Sequence, residues 1–221
     1  MEVFQKLVLN TNSKKEIESI LKYIEENADI KDWKIKRDFI SNYKKNMLNK
    51  DVEVLCLASP KINLDNKFIE GYVWFGEWKE NLEVFNIVPT NVGSLTYKEY
   101  NTILNEFYKD FIVPLNKISD IDIIKSSDTK TIEDIAGVEV ANALKKFSLS
   151  ANKSTGNSHP MDAERWNYFV CLSFKEGTKL SADDLARWLE EEDNWSNDLA
   201  WELSVEYEKS IDLLNYYNEN F

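Results

Sequence analysis

Three short segments between residues 52 and 88 constrain this chain more than any other feature. VEVLCLA at 52–58, FIEGYVWFG at 68–76 and LEVFNIV at 82–88 are dominated by β-branched, aromatic and other apolar residues over strand length. Lys79, Glu80 and Asn81 leave room only for a polar turn between the second and third, so those two pair as a hairpin. Strands that follow one another through short turns build an antiparallel sheet, and such a sheet carries its helices on one face. The flanking sequence supplies them. Ser13 with Glu16 forms a capping-box pattern, and Ile17, Ile20, Leu21 and Ile24 keep one apolar stripe at helical spacing. After Pro89 closes the third segment, Ser94 or Thr96 starts another helix, whose Tyr100, Ile103, Leu104, Phe107 and Phe111 make a broad apolar face. Pro114 ends or kinks it. EVFQKLVLN at 2–10 reads as a further strand, as does the alternation of Trp33, Ile35, Arg37 and Phe39. The expectation for 1–117 is an α+β domain, an antiparallel sheet with two helices on one face.

From residue 118 the pattern changes. IDIIKSSD adds an edge strand or simply links, and everything beyond reads as helix, over 138–150, 162–174, 181–193 and 196–217. Ser181 and Ser196 are cap residues, and Leu199, Leu203, Tyr207, Ile211 and Leu214 keep the spacing of a core-facing stripe. Trp188 packs inward with Leu185 and Leu189 on this reading, whereas Trp195, between Asn194 and Ser196, is harder to bury. Residues 118–221 therefore form a C-terminal all-helical region. No Gly/Pro/Ser-rich connector precedes it, so it is expected to pack against the first domain.

Composition narrows the class. Aromatic residues make up 13% of the 221 residues, which excludes a disordered acidic chain. No apolar run approaches the roughly 18–20 residues that span a bilayer, and MEVFQKLVLN lacks a basic-then-apolar leader, so a cytoplasmic protein is expected. Cys56 and Cys171 lie far apart, each in an apolar stretch, and read as small buried hydrophobes in a reducing compartment. With a single His and no CxxC, neither a metal centre nor a cofactor is expected.

The net charge of −12 is unevenly distributed: residues 176–221 hold 3 basic and 13 acidic side chains, while 1–117 and 118–175 are each near neutral. Such an acidic end opposes direct binding of nucleic acid or an anionic membrane and can steer a basic protein partner. Glu190, Glu191, Glu192 and Asp193, with Trp195 beside them, are the candidate contacts, since Trp anchors interfaces. A solvated face that aids solubility explains the same residues.

The most distinctive segment is ANKSTGNSHPMDAERW at 151–166, which carries the only histidine and one of three arginines. Lys153, His159 and Arg165 with the hydroxyls of Ser154, Thr155 and Ser158 are the parts of an anion site. Gly156 allows a backbone nest, and a helix starting at Asp162–Ala163 adds its dipole. An anionic small molecule, phosphorylated or carboxylated, is the ligand they would take. The plain alternative is an interhelical loop. Lys-Ser-Thr-Gly lacks the preceding glycines of a P-loop, and Ser158 or Ser173 with His159 and Asp162 lacks a nucleophile elbow, so no catalytic residue is assigned.

The box ANKSTG-x-SHP-x-D-x-x-RW, the downstream L-x-x-WL and the late EYE-x(5)-LL-x-YY resemble an uncharacterised family of bacterial proteins over roughly residues 94–221. That resemblance implies bacterial origin and no particular activity. The small acidic α+β plan also looks, in size and architecture alone, like immunity proteins of bacterial toxin systems. The resulting expectation is a non-enzymatic bacterial binding protein of immunity or antitoxin type. The alternative is an enzyme or sensor that reads an anionic small molecule through residues 152–165.

Overall fold

In the computed structural model, residues 1–46, 52–79, 81–119, 121–155 and 159–221 are described. They fall into two units, Glu2–Asp128 and Thr129–Phe221 together with Met1.

The first unit runs β1 (Leu7–Asn10), α1 (Lys14–Ala28), β2 (Lys34–Ile35), α2 (Arg37–Asn46), β3 (Val54–Ala58), β4 (Ile62–Leu64), β5 (Lys67–Ile69), β6 (Gly71–Trp78), β7 (Asn81–Pro89), α3 (Tyr97–Phe107), α4 (Val113–Asn116) and β8 (Asp122–Lys125). Six strands form one antiparallel sheet in the order β2-β3-β6-β7-β1-β8, and β4 pairs with β5 separately. Strand alternation turns Leu7, Leu9, Leu55, Leu57, Val73 and Phe75 to one face. There they meet Ile17, Ile20 and Ile24 of α1 and Ile103, Leu104 and Phe107 of α3 in a single core. This is the expected sheet with two helices on one face. Ser13 accepts from the Glu16 amide as read, but the Glu16 carboxylate accepts from the Asn12 amide instead of closing the box; of the two starts left open, Ser94 and Thr96, Thr96 is the cap and forms a reciprocal box with Glu99.

The segment read as one strand over 68–76 is two, β5 and β6, broken at Glu70, and three further features of this unit differ from the sequence expectation. Only Lys34–Ile35 of the alternating stretch pairs as strand; from Arg37 the chain is helical. Phe39 meets Tyr72 edge to face at 5.0 Å and Tyr43 lies tilted against Trp74 at 5.1 Å. These strand residues alternate with the core-facing Val73 and Phe75, so α2 covers the opposite face of the sheet. Four alternating residues are too few to separate period 2 from period 3.6. Second, the unit extends beyond residue 117 to Asp128, because β8 pairs with β1 from Leu7↔Lys125 to Asn10↔Asp122. Third, Pro114 neither ends nor sharply breaks its helix. Tyr108–Ile112 open into a π-helical turn that leads into α4. A proline has no N–H to give, and its ring would collide with the carbonyl four residues back, so the chain widens by one residue instead. The widened turn also presents Asp110, which accepts from the indole N–H of the buried Trp33 at 2.9 Å.

Gly76 illustrates how tightly β6 and β3 approach. A Cβ there would sit 2.6 Å from the Glu53 carbonyl oxygen and 2.9 Å from the Val54 Cα.

The second unit is helical: α5 (Ile132–Ala136), α6 (Val138–Ser150), α7 (Pro160–Lys175), α8 (Ala182–Arg187) and α9 (Asn197–Asn220). Its core is built on rings. Phe147 meets Trp166 at 5.0 Å and Trp195 at 5.8 Å, Trp166 meets Phe169, and Phe169 stacks on Tyr207. Leu185, Trp188 and Leu189 are buried together, as the helical spacing requires. The helix expected over 181–193 is α8 followed by a π-helical turn, Trp188–Glu192. Cys56 is buried but Cys171 is exposed, contrary to expectation. The buried face of α7 runs through Asp162, Trp166, Phe169, Val170 and Ser173, and position 171 falls outside that arc. Among the described residues no helix is long and apolar enough to cross a membrane.

Candidate functional site

The polar box and the acidic run, distant in sequence, meet in the fold of the second unit. After α6 the chain makes a tight turn in which the Ser154 amide donates to Asn152 Oδ1 and the Thr155 amide to the Asn152 carbonyl. The Lys153 ammonium reaches out of this turn and donates to the Asp193 carbonyl oxygen at 2.5 Å, with the Asp193 carboxylate 3.1 Å away. Asp193 stands at the end of the π turn, its amide bonded back to the Trp188 carbonyl. Its carboxylate also accepts from the buried Ser148 hydroxyl. The Trp195 indole N–H donates to Ser148 Oγ at 2.5 Å and lies 3.2 Å from the same carboxylate. One ammonium, one carboxylate, one hydroxyl and one indole thereby satisfy one another in a partly buried network, the arrangement a protein interior requires of polar groups.

This network corrects the partner-contact reading of two residues. Trp195 is only 3% exposed and stacks on Phe147; it is a core ring. Asp193 is turned toward Lys153 and Ser148. The other acids of the run are exposed but engaged: Glu191 takes a two-pronged contact from Arg187 at 3.0 and 3.2 Å, Glu190 accepts from Asn197, and Glu192 lies 2.7 Å from the Met1 amino group.

His159 and Arg165 are likewise engaged within the fold. α7 starts at Pro160, two residues earlier than expected, and His159 is its N-cap, with Nδ1 accepting from the Met161 amide at 3.2 Å. Arg165 lies 3.2 Å from the carboxylate of the buried Asp162. Ser154 and Thr155 are exposed. Ser158 and Gly156 lie outside the described residues. Ser173 is buried in the helical core, away from any surface a substrate could reach. Among the described residues, no group of three or more His, Cys, Asp or Glu side chains is gathered to hold a metal ion.

What the structure does expose is the outer face of α9. Its core face is Ala200, Leu203, Ser204 and Tyr207, with Leu199, Ile211 and Leu214 packed beside them. On the other side Trp201 is 42% exposed and Val205 41%. With Asn197, Asp198, Glu202, Glu206 and Lys209 they line a shallow trough along the helix. The helix carries six carboxylates, Asp198, Glu202, Glu206, Glu208, Asp212 and Glu219, against one cation, Lys209, and all are exposed. None of the six forms an ion pair among the described residues. The sequence points to an acidic end over 176–221, but the contacts named from it fall in the denser run at 190–193 and none falls on this face. The signal was present: Trp201 stands a half-turn away from the Leu203–Tyr207 stripe, with acids three before and one and five after.

Comparisons with protein-family models, with curated proteins and with solved structures return no match.

Proposed function

We propose that this chain is a non-enzymatic bacterial binding protein of immunity type, and that the outer face of α9 docks a basic protein partner. The observation that carries this reading is a helix face with six exposed carboxylates, none in an ion pair among the described residues, and a half-exposed Trp201 among them. Six carboxylates against the single Lys209 project a net negative potential that accelerates encounter with a cationic surface. A large aromatic ring left open to water is the residue type on which interfaces anchor. The acidic run at 190–193 contributes less, because Glu191 is matched to Arg187 and Asp193 to Lys153. The unpaired thiols of Cys56 and Cys171 suit a reducing compartment and support a cytoplasmic location on this reading.

The test is affinity capture from the source cell with two baits, the native chain and a Glu202→Lys/Glu206→Lys variant. The captured protein is then purified and its association followed at rising salt. The expected result is a basic protein retained by the native bait alone, with an association rate that falls as salt rises. A partner held equally by both baits, with salt-independent association, overturns the proposal.

A further inference from the structure

The outer face of α9 changes character along its length. Toward its start Asp198, Glu202 and Glu206 flank Trp201 and Val205; toward its end large apolar side chains, Leu213 67%, Tyr216 61% and Tyr217 64% exposed, stand beside the exposed Asp212 and Glu219. These three stand at i, i+3 and i+4, so they form one patch, and it lies on the same side of the helix as Glu202 and Glu206. Large apolar side chains grouped on a helix face and open to water mark a contact surface more often than scattered single ones do.

We infer that this face receives one amphipathic helix of the partner, cationic where it lies over Asp198, Glu202 and Glu206 and apolar where it lies over Leu213, Tyr216 and Tyr217. The inference rests on the reading of the acidic face as a docking surface and adds the chemistry of what docks. Charge decides the occupant. A second copy of α9 laid parallel on the first would set acid zone against acid zone, and laid antiparallel it would set acid against apolar. Either way the six carboxylates of each copy would face only the single Lys209 of the other. A segment with lysines or arginines at one end and leucine-like residues at the other satisfies both zones at once. With 24 residues, α9 offers about 36 Å of track for such a helix.

The probe is a fluorescein-labelled synthetic helix-forming peptide with lysines in one half and leucines along one face of the other. A control peptide has glutamine in place of each leucine. Both are titrated with the full chain by anisotropy at low and high salt. The native chain is expected to bind the leucine peptide about tenfold more tightly than the control. Tyr216→Ala/Tyr217→Ala should erase that preference and keep the salt dependence, whereas Glu202→Gln/Glu206→Gln should flatten the salt dependence. Because all four side chains are exposed, both variants should keep the native helical content and melting temperature. If the tyrosine variant prefers the leucine peptide as strongly as the native chain does, the two-zone inference falls while the acidic docking surface stands. If the glutamate variant keeps both affinity and salt dependence, the reading beneath it falls too. A native dimer in sedimentation that Tyr216→Ala/Tyr217→Ala dissolves would assign the patch to a second copy and overturn the inference.

Discussion

Lys153 and Asp193, 40 residues apart in the chain, are joined twice, through the carbonyl oxygen at 2.5 Å and the carboxylate at 3.1 Å. The pair ties the loop after α6 to the end of the π turn and draws Ser148 and Trp195 into the same network. Its loss should be felt as stability. Lys153→Met is expected to cost about 1–2 kcal/mol, below the 3–5 of a fully buried pair because Lys153 is partly hydrated. Ser148→Ala should cost about 1 kcal/mol. Urea unfolding followed by Trp fluorescence measures both, and an unchanged midpoint in the lysine variant would remove the pair from the account of how this unit holds together.

Asn101 of α3 clamps the start of the chain to the first unit. Its Oδ1 accepts from the Gln5 amide and its Nδ2 donates to the Val3 carbonyl, each at 2.8 Å. Asn101→Ala removes the amide and strands both backbone groups. A loss of about 2 kcal/mol is expected from the unfolding midpoint. Hydrogen exchange should accelerate at Gln5 first.

The two thiols should differ sharply in reactivity. Burial, with the Asp38 carboxylate adding to it, pushes the Cys56 thiol up to about 12, and it has no exposed surface. Cys171 is exposed on α7. A thiol reagent at neutral pH should therefore label Cys171 in the folded protein and Cys56 only in denaturant. Labelling of both at equal rates would place Cys56 nearer the surface than the fold does.

Acid should weaken the first unit through Glu99. The Lys67 ammonium, followed by the Thr96 amide, holds this carboxyl below its ordinary value. A carboxyl depressed on folding adds stability that is complete above its unfolded value, about 4.3, and disappears as pH falls through the lower folded value. Glu99→Gln should therefore be less stable than the native chain at neutral pH, with the difference closing on the acid side. Melting temperatures taken from pH 7 downward would test this, and two parallel curves would argue against it.

How much of this was legible in the sequence depended on how long each pattern ran. β7 carries enough alternation to be read directly, and α6 and α9 enough helical spacing, whereas β6 was read as one strand with the end of β5 because Glu70 alone separates their apolar residues. The caps at Ser13, Thr96, Ser181 and Ser196 are local chemistry and are found where the sequence puts them. The stretch from Trp33 to Phe39 was too short to decide between two periods. Lys153 and Asp193 were each visible as charged, but nothing local to either reveals that they neutralise one another, because pairing across 40 residues is a product of the tertiary fold. Trp195 misled for the same reason: its neighbours Asn194 and Ser196 are polar, while the groups that bury it, Phe147 and Ser148, belong to another helix. On α9 the core stripe was readable, and the exposed face was its complement.

The π turn at Trp188–Glu192 houses one residue more than an α turn would. Each added residue rotates the downstream chain by about 100° on a helical path, so this turn works as a phase shifter that brings Asp193 and Trp195 into their seats. Spacing is thus what the segment must preserve, more than its sign. Exchanging all three glutamates for glutamine would alter the charge and keep the frame. Deleting one of them would keep most of the charge and swing the indole out of the core.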